Sequence, residues 1–194
     1  VATEDEVLED WAHIDANIAQ KIINQSRITI AEERVMIGFN GVSAAVESDP
    51  DTNTMLQDVN IGWLQKLRNE NPNNVFSEIR GGAGEVVLGE NGAVVSDYVN
   101  LNQLVAAALK TIPKHLRKKT GKGRLVVMVG DELAEYHQDR VYAQYGEQPS
   151  EQEKAQRQLA ATTLGGLEMV EPDFFPSRSI VITSYDNLSI YYQS

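Results

Sequence analysis

Asp131, Glu132 and Glu135 stand where an apolar run, Leu125 to Val129, gives way to a helical pattern. Carboxylates gathered at that spacing are the raw material of general acid-base chemistry. The same turn, Val129-Gly130-Asp131, follows a strand pattern and opens a helix, which is where a nucleotide phosphate is held. Both signals are weak. Acids in the first turn of a helix are ordinary partners of its dipole, and a lone glycine marks a tight turn more often than a ligand. The stretch GGAGEVVLG has neither phosphate-cradling spacing, and Gly121-Lys122-Gly123 precedes its strand when a nucleotide loop should follow it. His13, His115 and His137 lie far apart with no metal-binding spacing, and the chain has no cysteine. A thiol nucleophile, thiolate zinc and a disulfide framework are therefore excluded. No serine has nucleophile-elbow context. The residues point to no catalytic constellation, cofactor or metal.

Charge is the one anomaly. The 194 residues carry a formal net charge of −11, which argues against sequence-independent binding of nucleic acid by the whole chain. Yet Lys110, Lys114, Arg117, Lys118, Lys119, Lys122 and Arg124 place seven of 17 basic residues within 15 positions. Taken alone, such a run is a solvated helix end whose cations offset the dipole. Its sharper interpretation is a cationic patch that meets the acidic surface of a neighbouring copy, head to tail.

The elements that position these residues begin with a long helix. His13 to Gly38 carries Ile14, Ile18 and Ile22 every four residues, and Thr29, Ile30, Met36 and Ile37 continue the stripe. Gly38 and Asn40-Gly41 predict its end through left-handed backbone. Ile28 and Val35 fall on the opposite flank, and periodicity alone favours a core helix sandwiched inside one domain, with Ile18 and Ile22 buried. A short acidic helix over 4–11 should precede it. Ser48 to Asn53 is turn chemistry, and Trp63, Leu64 and Leu67 predict a short helix stopped at Asn71-Pro72. Asn91-Gly92 predicts a hairpin and Asn100 caps a helix. Leu125 to Val129 reads as a buried strand, with Asp131 capping the helix after it. Ser150 and Glu153 suggest a further helix ending near Gly165-Gly166. Strands over 167–170, 179–183 and 188–192 complete an α+β chain. No run of 18 apolar residues exists, so no membrane-spanning helix is expected.

Several stretches resemble the major capsid protein of P-two-like tailed bacteriophages (peduoviruses). They are Val35 to Val42 (VMIGFNGV), Met55 to Glu70 (MLQDVNIGWLQKLRNE), Leu125 to Gly130 (LVVMVG), Phe175-Pro176, Ile182-Thr183 and Asn187 to Tyr192 (NLSIYY). The resemblance implies a partial Hong Kong 97-type capsid fold: a spine helix from the peripheral domain (1–54) and an axial domain with mixed sheet and flanking helices (55–194). It implies a structural subunit of an icosahedral phage or prophage head, in the virion, assembled in the host cytoplasm. Its partners would be other copies of itself and a scaffolding protein, and it would enclose DNA without sequence-specific binding. The missing arm, extended loop and later strands make the chain an excised core by this resemblance. Ile28, Val35, Lys114, Arg117, Lys118, Lys119 and Lys122 are the expected subunit contacts. The rival expectation is a nucleotide-dependent enzyme built on the turn at 125–131.

Overall fold

A computed structural model of the chain describes residues 18–76, 86–89, 97–145 and 163–191. The chain divides into two compact units, Val1–Gly62 and Trp63–Ser194. The division follows Gly62 because residues 55–61 belong with what precedes them: the Val42 and Ser43 amides donate to the Gln57 carbonyl and Ala45 N–H donates to Asp58, at 2.7, 3.2 and 2.8 Å.

In the first unit, helix α1 runs unbroken over Ile18–Asn40, 23 residues and about 34 Å. The polar and β-branched residues at its centre do not interrupt it. Ser26 and Thr29 hydroxyls donate back to the carbonyls of Ile22 and Gln25, one turn earlier. The apolar stripe, however, is not buried. Ile22 is 44% exposed and Ile28 51%, Ile18 and Val35 are half-buried, and within the helix only Gly38 and Phe39 are buried. The expectation of a sandwiched core helix with buried Ile18 and Ile22 is thus corrected: residues 19–34 are exposed throughout.

Burial begins where the helix ends, two residues beyond Gly38. Gly41 N–H donates to Ile37 and Gly62 N–H to Gly41, at 2.8 and 3.0 Å. The expected left-handed closure is absent, since neither Gly38 nor Gly41 has positive φ. Glycine is needed at 41 and 62 for another reason. A Cβ at Gly41 would strike the Asn60 and Ile37 carbonyls, and one at Gly62 those of Ile37 and Gly38. The turn expected over 48–53 is present. The Asp49 carboxylate accepts from Thr52 Oγ1 at 2.6 Å, and Asp58 accepts from Ser48 Oγ and Asp49 N–H at 2.9 and 2.8 Å. Those donors, Thr52 for Asp49 and the Asp49 amide for Asp58, hold both acids below the ordinary carboxylate value.

The second unit opens with α2, Trp63–Glu70, which stops before Pro72 as expected and is followed by a 3-10 turn at Pro72–Asn74. Trp63 Nε1 donates to the Ser189 carbonyl at 3.0 Å. Helix α3, Leu101–Thr111, is capped by Asn100, whose side chain accepts from Gln103 N–H at 2.9 Å while Gln103 Oε1 accepts from Val99 N–H at 2.8 Å. Strand β1, Val126–Val129, is buried along its whole length and leads through Gly130 into α4, Asp131–Tyr145.

The sheet has the order β2-β3-β1-β4, with β2 over Thr163–Leu164, β3 over Leu167–Val170 and β4 over Ile180–Thr183. β3 runs parallel to β1, pairing Val126 with Glu168, and β4 runs antiparallel, pairing Val126 with Thr183. The core unites Val127 and Val129 with Leu101, Leu104 and Val105 of α3, Ala134 of α4, and Leu164 and Leu167.

Two expectations are corrected here. Gly165-Gly166 does not end a helix; with φ of +59 and +81 it forms the two-residue turn of the β2–β3 hairpin, the conformation that favours paired glycines. Leu188 to Tyr191 is not a strand but follows a single 3-10 turn at Tyr185–Asn187. The helix over 4–11, the Asn91-Gly92 hairpin and the helix from Ser150 fall outside the described residues, as do residues 13–17 of the long helix.

Candidate functional site

At the β1–α4 turn the strand-turn-helix exists, but its mouth is filled. Gly130 N–H donates to Ser179 at 3.0 Å, and the Gly130 carbonyl accepts from Ala134 N–H at 3.0 Å. A Cβ at Gly130 would strike the Pro176 and Ser177 carbonyl oxygens. The chain between β3 and β4 therefore lies over the helix N-terminus where a phosphate would have to sit. Asp131 is one residue too late to cap this helix, since the first helical bond goes to Gly130. Its carboxylate accepts from Glu132 N–H at 2.9 Å, and the Ser177 hydroxyl, then that amide, hold it below the ordinary value. Glu132 pairs with Arg178 at 3.4 Å and Glu135 is exposed, so the three acids do not converge.

His115 is exposed in the turn Lys114–Leu116, and His13 lies outside the described residues. His137 on α4 is half-buried, and its pKa falls below 6.5 through burial first and the Arg140 charge second. Among the described residues no group of three or more histidines or acids could hold a metal.

In the basic run, Arg117 differs from its neighbours. Its Nε donates to the Ile112 carbonyl at 2.5 Å and its guanidinium to Lys110 at 2.7 Å, satisfying carbonyls left open at the end of α3. Arg124 pairs with Glu168 at 2.7 Å. Lys114, Lys118, Lys119 and Lys122 are exposed. Lys122 borders a shallow, open depression of about 140 Å³ with Gly121, Gly123, Arg124 and Ser184 to Asp186; among the described residues no buried side-chain polar atom is left without a partner. Ile28 is exposed and Val35 half-buried on α1, in the other unit.

Sequence reasoning missed Arg140. It donates to the Val99 carbonyl at 2.7 Å, to the Gly89 carbonyl, and to Tyr136 Oη at 2.8 Å, while Tyr136 donates to Gly89 at 3.3 Å. The pair ties α4 to the chain on either side of the isolated bridge between Leu88 and Tyr98. The available signal was the i, i+4 spacing of Tyr136 and Arg140 on one helix face.

With no reaction centre among the described residues, comparison with known proteins bears on the surfaces just described. The family described as "Phage major capsid protein, P2 family" matches residues 3–194. The chain is 36% identical over 165 residues to "Capsid proteins" of Escherichia phage P2, covering 81% of this chain and 44% of that protein. It is 31% identical over 191 residues to the major capsid protein of Serratia phage KSP20, covering 97% and 53%. It spans about half the length of these curated relatives. Among solved structures it is similar to a chain of the satellite phage P4 procapsid including size determination (Sid) protein, with a TM-score of 0.69 and 29% identity over 94% of this chain and 55% of that one.

Proposed function

The chain belongs to the P2 family of phage major capsid proteins, and on that premise we propose that it is a structural subunit of an icosahedral tailed-phage or prophage head. The family match across residues 3–194 carries this reading. The structure agrees with it in kind. Among the described residues no buried side-chain polar atom lacks a partner, and the exposed features include an apolar helix flank and a row of lysines, which suit contacts between proteins.

In this reading α1 is the spine of the peripheral domain expected over 1–54, and the axial domain expected over 55–194 begins instead at Trp63, where the two compact units divide. Ile28, Val35, Lys114, Lys118, Lys119 and Lys122 lie at contacts between copies, and Arg117 acts one step back by holding the lysine-bearing connection against α3. The assembled shell resides in the virion, forms in the host cytoplasm with a scaffolding protein, and encloses DNA without reading its sequence. The subunit performs no catalysis. Expression of the complete reading frame that encodes this chain, followed by electron microscopy, tests the proposal. Closed shells are expected; a soluble monomer under every assembly condition would sink it.

A further inference from the structure

We propose that residues 63–194 carry a head-to-tail contact for a second copy of this chain, in which lysines before β1 meet carboxylates beyond its far end. The proposal rests on the shell-subunit reading only for its choice of partner; the two charged ends come from the sheet itself. β1 and β3 are parallel, so the residues that enter them share one end and the residues that leave them share the other. The antiparallel β4 starts at the leaving end and finishes at the entering end. From Leu125 to Gly130 the two ends stand roughly 17 Å apart.

At the entering end Lys118, Lys119 and Lys122 are exposed. Arg124 is already held by Glu168, and Asp186 is the remaining acid at the end of β4. At the leaving end Asp131, Glu132, Glu171 and Asp173 are exposed, and of these Glu132 alone has a cationic partner, Arg178. Among the described residues neither the three lysines nor Glu171 and Asp173 form an ion pair. The two ends face apart on one body, so a copy cannot satisfy its own lysines with its own acids. A neighbour in the same orientation can, and because the two patches differ the contact repeats instead of closing as a two-fold dimer.

The net charge of −11 sharpens the test. Copies joined through exposed isoleucines of α1 repel overall, so added salt would strengthen that association; copies joined end to end are held by attraction that salt weakens. Sedimentation velocity on the 194-residue chain should show association about tenfold stronger at about 20 mM salt than at about 300 mM. The reversal Lys118→Glu, Lys119→Glu, Lys122→Glu should be monomeric, and so should Glu171→Lys, Asp173→Lys. An equimolar mixture of the two should associate again, into species larger than dimers. Circular dichroism establishes that each variant folds; if either does not, the milder pair Lys119→Glu and Asp173→Lys carries the same comparison. A wild-type chain that never associates, association that salt strengthens, a mixture that stays monomeric, or one that stops at dimers overturns the contact. Shells from the complete reading frame separate the two claims. Normal shells from either reversal sink the contact alone, while wild-type failure to form shells, with salt-weakened association intact, sinks only the shell reading.

Discussion

Arg117 sits among lysines but does what none of them does, closing the end of α3 with its guanidinium on two backbone carbonyls. Removing it leaves those carbonyls to water, so Arg117→Ala should destabilise the fold by about 1–2 kcal/mol in urea titration, while Lys118→Ala changes it by less than about 0.5. Equal effects would mean that the bonds from Arg117 carry no weight. His137 gives a second test with a definite sign. Burial and Arg140 hold its pKa below 6.5 in the fold, so between the two values the unfolded chain binds more protons. Stability is then complete above about 6.5 and declines as the pH falls through the folded value. Melting temperature should drop between about pH 7 and pH 5 in the wild type and less steeply in His137→Gln. Gly130 is constrained by its neighbours and not by φ: in Gly130→Ala the methyl meets the Pro176 and Ser177 carbonyls, an overpacking cost of about 1–3 kcal/mol.

Among the elements, α1 and β1 have opposite burdens. β1 is an apolar run buried end to end, and its four residues were legible because a short, β-branched apolar run closed by Gly130 favours a buried strand. The continuity of α1 was legible too, since its period of 3.6 runs past Ser26 and Thr29 without proline. What its period could not reveal is that the stripe lies exposed, because a repeat records which residues share a face and not whether that face is covered. The glycine pair at 165–166 misled for a related reason: two glycines tolerate both a helix end and a hairpin turn, and only the partner strands decide. The mouth of the β1–α4 turn was illegible because Pro176 and Ser177, which fill it, come 46 and 47 residues after Gly130 in sequence. The helix's exposure has a measurable outcome. Amides of residues 22–33 should exchange with solvent far faster than those of 126–129, because most helical stability comes from packing an amphipathic face and this face is exposed. The double change Ile22→Lys, Ile28→Lys should alter the chain's stability by less than about 0.5 kcal/mol, against about 3–5 for Phe39→Ala; a larger loss from the double change would show that the stripe is covered.

For the molecule as a whole, the absence of a converging set of reactive groups among the described residues and the filled turn at Gly130 lead to a plain expectation. A thermal-shift series with nucleotides, with and without magnesium, should leave the melting temperature flat, since only a ligand bound to the folded state raises it. Light scattering on the 194-residue chain at micromolar concentration should give monomers or small oligomers, because individual exposed ion pairs are each worth under about 1 kcal/mol; particles of shell size would contradict this. The sheet order also sets a schedule. The strand at its centre is made early, but its two neighbours arrive late: Val126 pairs with Glu168 and Thr183, which follow it by 42 and 57 residues. At synthesis rates of about 5–20 residues per second the ribosome needs roughly 3–11 seconds to deliver the last of them. Throughout that interval an uncharged, sticky five-residue segment from Leu125 to Val129 is out in the cell without its partners, so the nascent chain passes through a window in which a chaperone can decide its yield.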